Sequence, residues 1–103
     1  MKFYEAFKHV KNELEGKILT LGEIDKITMS TDQFYDGLSI DTLYRCKVRK
    51  NLYSYNGEEY NNQVIAIDFS FVEDLEIIKL QNDELDGFEG VIVTVKKVYL
   101  YDI

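Results

Sequence analysis

An α+β domain is what this 103-residue sequence predicts, and three features carry the expectation. The first 14 residues hold an apolar stripe at helical spacing. Two runs of strict alternation flank Asn56-Gly57, and a third alternating run lies near the C-terminus. Nothing alternates helix and strand as parallel βαβ units would. The expected architecture is an N-terminal amphipathic helix packed on an antiparallel sheet of four to five strands, with a long hairpin turning at Asn56-Gly57. A chain of this length suits a single domain, 1–103.

The helix rests on Phe3, Phe7, Val10 and Leu14, which form one stripe, while Lys2, Glu5, Lys8, Lys11 and Glu15 fall mostly on other faces. Gly16 is a natural stop, because glycine tolerates the left-handed conformation that ends a helix. Ile18 to Leu21 suits a short strand. Thr20 with Glu23 fits a capping box ahead of Leu21, Ile24 and Ile27. Residues 26–30 also suit a strand, and that is the reading adopted. Thr31 to Gly37 is polar and ends in a turn signal, Asp36-Gly37.

Tyr44, Cys46 and Val48 alternate with Arg45, Lys47 and Arg49. After the turn, Ile65, Ile67, Phe69 and Phe71 alternate with Val64, Ala66, Asp68 and Ser70. Asn56-Gly57 is the preferred dipeptide of a two-residue type I′ turn. Pairing Tyr55 with Glu58 then sets Val48 opposite Ile65, Cys46 opposite Ile67 and Tyr44 opposite Phe69. Arg45 meets Asp68 on the other face. Residues 75–80 and 91–101 read as further strands, although 73–80 also fits a short helix. In the last strand the apolar phase moves from Val91, Val93 and Val95 to Val98 and Leu100, so a bulge is expected at Lys96-Lys97. Residues 81–90 read as an acidic connecting loop.

The composition narrows the function. Apolar residues make up 46% of the chain and eight Tyr and six Phe supply much of the packing, enough for a core. Glu5, Lys8 and Lys11 interrupt any signal-peptide pattern, and no apolar run approaches the roughly 20 residues that span a bilayer. The expected location is the cytoplasm of the producing cell or of an infected host cell, with no membrane contact. The formal net charge of −7 disfavours direct nucleic-acid binding and suits basic proteins.

Catalytic groups are sparse. His9 is the only histidine and lies off the helix stripe; Cys46 is the only cysteine and is expected to face the core. No phosphate-cradling glycine motif is present. Asn82, Glu84, Asp86 and Gly87 resemble the start of a calcium loop, but Val93 stands where the bidentate glutamate belongs. Neither an enzyme nor a metal or cofactor site is expected.

The charge map is lopsided. Residues 51–95 hold ten acidic side chains and one lysine, a net −9, against a slightly basic remainder. Arg45, Lys47, Arg49 and Lys50 form a basic strip, with the Tyr53–Tyr60 pair on the face shared by Arg45, Lys47 and Arg49. Basic residues beside aromatics can bind single-stranded nucleic acid, but Asp68 offsets Arg45 and the chain as a whole repels phosphates, so cross-strand pairing is the better explanation of that strip.

The opening helix, with Phe3, Glu5-Ala6-Phe7 and Lys8, resembles that of several short prophage-encoded proteins. The short acidic chain with its Glu73–Glu89 run is similar to small phage inhibitors, some anti-CRISPR proteins among them. The resemblance lies in size and charge and transfers no site residue. Together these features lead to the expectation of a non-enzymatic inhibitor that occupies the basic groove of a nucleic-acid-binding protein. Its contacts would be Glu58, Glu59 and Tyr60 on the hairpin and Glu73, Asp74, Glu76, Asp83, Glu84, Asp86 and Glu89 beyond it. The alternative is a structural or oligomerising accessory protein, monomer or small homo-oligomer, using Tyr53, Tyr55 and Tyr60 or an open sheet edge.

Overall fold

The chain begins with helix α1 (Lys2–Leu14), strand β1 (Ile18–Thr20) and helix α2 (Leu21–Thr28). Four strands follow: β2 (Lys47–Asn51), β3 (Ser54–Tyr55), β4 (Glu58–Glu59) and β5 (Val64–Phe71). Helix α3 (Leu75–Gln81), a 3-10 helix (Leu85–Gly90) and strand β6 (Ile92–Leu100) complete it. The structure, a computed structural model, describes residues 2–29, 46–61, 63–81 and 85–101. Among these, an antiparallel four-stranded sheet runs β1-β6-β5-β2, and β3 and β4 form a separate ribbon. The expected α+β architecture is thus present.

Helix α1 buries Ala6, Phe7, Val10 and Leu14, with Phe3 packed at the edge of the core. It rests on β6 and α2. Gly16 ends the approach to β1 with φ +78, and its N–H donates to the Val95 carbonyl at 2.9 Å. A side chain there would be strained by that dihedral, which explains glycine at the junction.

Helix α2 corrects the strand expected at 26–30. Thr20 accepts the Glu23 N–H, and the Glu23 carboxylate accepts the Thr20 N–H, so the capping box is complete. Leu21 and Ile24 are fully buried, and the helix ends at Met29 in the left-handed region. Satisfied N-terminal donors and one buried helical face outweigh the β-propensity of Ile27 and Thr28. Gly22 brings α2 close to the 3-10 helix, since a Cβ there would lie 3.1 Å from the Glu89 carbonyl oxygen.

The hairpin keeps the expected turn, with Asn56 and Gly57 both at positive φ and Tyr55 paired with Glu58. Its base corrects the expected register. Val48 lies opposite Ile67, Lys50 opposite Ile65, and Lys47 opposite Asp68. The displacement arises beyond the ribbon. Tyr60 N–H still donates to the Tyr53 carbonyl, whereas Leu52 N–H donates to the Gln63 carbonyl, so the return strand carries the extra residues. Leu52 and Tyr60 turn into the core there, at 2% and 8% exposure. Cys46 stands at the start of β2 with φ +54, half-buried at the core margin, and is not the partner of Ile67. Tyr44 and Arg45 lie outside the described residues.

The bulge expected at Lys96-Lys97 is present: Asp68 pairs with Lys97 while Phe69 pairs with Val95. Val93, Val95 and Val98 are consequently all fully buried, opposite Phe71, Phe69 and Ile67. The strand expected at 75–80 is instead helix α3. Asp74 Oδ1 accepts the Glu76 N–H at 2.8 Å, which starts the helix, and Ile78 anchors it in the core. The expected loop at 81–90 carries the 3-10 helix, which buries Phe88.

Alternation along β2 turns Lys50 inward, splitting the basic strip between two faces. Lys50 is 1% exposed, and its ammonium lies 2.6 Å from Asp25 of α2, whose side chain is 13% exposed. The pair ties the sheet to α2 across the core.

Two expected outcomes follow from this packing. Ile67→Asp places a charge on the core face and should destabilise by about 3 kcal/mol or more, whereas Val64→Asp, half-buried on the opposite face, should cost less. Equal losses in urea unfolding would contradict a sheet with one fully buried face. Asp25→Ala removes a carboxylate partner of a buried ammonium and should cost more than Lys50→Met, which leaves a partly solvated carboxylate. The reverse order in thermal melts would contradict it.

Candidate interaction surfaces

The described acids among those singled out in the sequence do not gather on one surface. The β3–β4 ribbon precedes β5 and α3 follows it. Glu58 and Glu59 therefore lie near one end of β5 and the Glu73–Glu89 segment at the other, about 25 Å away at strand rise. At the α3 end, Val72 N–H donates to the Ile92 carbonyl at 3.2 Å, closing the segment into a loop at the sheet margin. Glu73, Asp74, Glu76 and Glu89 are all exposed there. Glu89 borders a depression of about 280 Å³ shared with Thr20, Glu23 and Lys26 of the α2 region. Asp86 belongs to the 3-10 helix, while Asp83 and Glu84 lie outside the described residues.

At the ribbon end the picture differs. Glu58 is held by Lys2 at 2.8 Å, and that bond raises the Lys2 pKa above the usual lysine value. Glu59 is exposed. Tyr60 is a core residue, its ring 5.9 Å from that of Phe3. Its hydroxyl is buried and finds no hydrogen-bond partner among the described residues. Burial pushes the phenol pKa up, Glu58 adds to the shift, and Lys2 opposes it. Tyr55 is half-buried, its ring 5.2 Å from that of His9, and of the three tyrosines only Tyr53 is exposed. His9 is a surface residue. No group of three or more His, Cys, Asp or Glu that could hold a metal occurs among the described residues. Nor is any helix among them long and apolar enough to cross a membrane.

A second charged surface was not visible as a unit in the sequence. The sheet face turned away from the helices carries Lys47 and Arg49 from β2, Asp68 from β5, and Lys97 and Tyr99 from β6, with Tyr101 just beyond. Lys47 lies 3.8 Å from Asp68 and 5.1 Å from the centre of the Tyr99 ring. The Tyr99 hydroxyl beside Lys47, followed by Asp68, raises the Lys47 pKa. Lys97 reaches the same ring at 5.6 Å, and the Arg49 guanidinium covers Tyr101 at 3.7 Å. Lys96, displaced by the bulge, is exposed beside Lys97. The bulge signal together with a β5–β6 pairing would have joined these lysines to the β2 cations.

Comparison of the chain with protein-family models, with curated proteins and with solved structures returns no match.

Removing the Tyr60 hydroxyl tests its burial. Tyr60→Phe should leave the melting temperature unchanged or raise it, because no described partner loses a bond. A phenol pKa raised by folding contributes stability that is present below pH about 10 and is lost as pH rises through the raised value. The variant should accordingly lose less stability on alkaline titration than the parent chain. A lower melting temperature at neutral pH, or an identical alkaline profile, would contradict this account.

Proposed function

We propose that this chain is a non-catalytic binding protein that presents the carboxylates at the α3 end of its sheet to a basic, phosphate-binding groove of another protein. The observation that carries this reading is the segregation of charge. Glu73, Asp74, Glu76 and Glu89 are exposed at one sheet end, apart from the cations of the outer sheet face. Like charges held close together repel, and an opposed surface of the other sign relieves that repulsion while steering encounter. Glu58, occupied by Lys2, and the remote Glu59 form a separate, minor patch. Tyr60 has no part in the contact, because its ring packs in the core. Asp83, Glu84 and Asp86 extend the acidic loop in sequence. The reading agrees with an inhibitor encoded by a mobile element and acting in the cytoplasm against a nucleic-acid-processing enzyme.

The test is a partner captured from host lysate, identified by mass spectrometry and purified, with binding followed against salt. Affinity should fall steeply as ionic strength rises, because screening shortens the field to about 10 Å at 0.1 M. Replacing Glu73, Glu76 and Glu89 with Gln should slow association more than it speeds dissociation, with little change in melting temperature. Duplex DNA should compete for the same groove. Binding indifferent to salt, to these substitutions and to DNA would overturn the proposal.

A further inference from the structure

The outer face of the sheet is the second feature with chemistry to explain. Around Asp68 it collects Lys47, Arg49, Lys96 and Lys97, a local net charge of +3 among the described residues, in a chain whose total is −7. Lys47, Arg49, Lys96 and Lys97 are exposed, and Tyr99 and Tyr101 lie half-buried among them. Alternation sets Tyr99 and Tyr101 on the same side, about 7 Å apart along the strand. Each tyrosine ring is flanked by a cation: Tyr99 by Lys47 and Lys97, Tyr101 by Arg49 at 3.7 Å.

We propose that this face binds single-stranded nucleic acid. Phosphates pair with Lys47, Lys96 and Lys97, while bases stack on the Arg49 guanidinium plane and against the rims of the two tyrosines. Aromatic rings alternating with cations on an open sheet are what a single strand requires, since every base has a π-face and every linkage a charge. An acidic protein segment would use the cations and leave the rings without a role. A duplex would hide its bases from the rings. The acidic total does not forbid this contact, because at physiological ionic strength the field of a distant carboxylate is screened beyond about 8 Å. Among the described residues Asp68 is the one carboxylate inside the patch, and Lys47 and the Tyr99 hydroxyl engage it. The inference is independent of the acidic end and stands or falls separately from it.

The experiment is fluorescence anisotropy of the full chain with a labelled mixed-sequence single-stranded DNA of about a dozen nucleotides and its RNA equivalent. The same sequence as a duplex, and polyglutamate, serve as competitors. With three phosphates engaged, single-strand affinity should drop roughly 20-fold between 50 and 200 mM salt. Lys97→Gln should weaken binding and make the log–log salt slope shallower by about 0.7. Tyr101→Leu should weaken it at least about fivefold, while Tyr101→Phe keeps it. Arg49→Lys, which keeps charge and loses the stacking plane, should weaken it without changing the salt slope. Circular dichroism melts confirm that each variant folds. Failure of both single strands to bind at 50 mM salt would overturn the proposal. Polyglutamate competing equally would assign the face to an acidic protein instead, and duplex competing equally would exclude the single-strand mode. Binding unchanged by Lys97→Gln and Arg49→Lys would place the contact elsewhere on the chain.

Discussion

The β-bulge between Lys96 and Lys97 is the constraint on which the two faces of this sheet depend. A strand alternates without exception, so β6 could not bury Val93, Val95 and Val98 on one side unless an additional residue were inserted. The insertion brings Val98 opposite Ile67 and carries the buried row of β6 past the bulge. It also leaves consecutive lysines between two core-facing valines, and both emerge into solvent. Irregular pairing at that point is stabilised from outside the sheet. The Glu15 carboxylate, at the end of α1, accepts the Val98 N–H at 3.0 Å just past the β1–β6 ladder. One local device thereby completes the core, directs Lys96 and Lys97 outward and fastens α1 to the sheet.

Charge is partitioned by the same logic. Strand alternation sends Lys47 and Arg49 to the outer face and Lys50 into the core, although the three are close in sequence. A buried ammonium is costly unless it is compensated, and α2 supplies the Asp25 carboxylate at 2.6 Å. The cations of the outer face meet Asp68 and the tyrosines of β6 rather than the acids of the α3 end. A chain with net negative charge can in this way carry a basic platform and an acidic rim as separate surfaces.

Local patterns in the sequence determined the α1 stripe, the stop at Gly16, the Asn56-Gly57 turn, the alternation of β5 and the bulge in β6, because each is written in neighbouring residues. Tertiary structure decided the rest. The register at the hairpin base moved by two residues, and an even displacement keeps every side chain on its own face, so hydrophobic alternation could not distinguish the alternatives. The segments around Ile27 and Ile77 are short apolar runs compatible with helix or strand; the Thr20–Glu23 capping box was legible in the sequence, but only the Asp74 cap and the burial of Ile24 and Ile78 settled both as helices. The acidic run was legible as a composition, yet β5 separates Glu58 and Glu59 from Glu73 to Glu89, because a linear sum of charge carries no distance. The basic platform was legible only in fragments. Its cations come from β2 and β6, strands about 50 residues apart in sequence that become near neighbours only when β5 pairs with both.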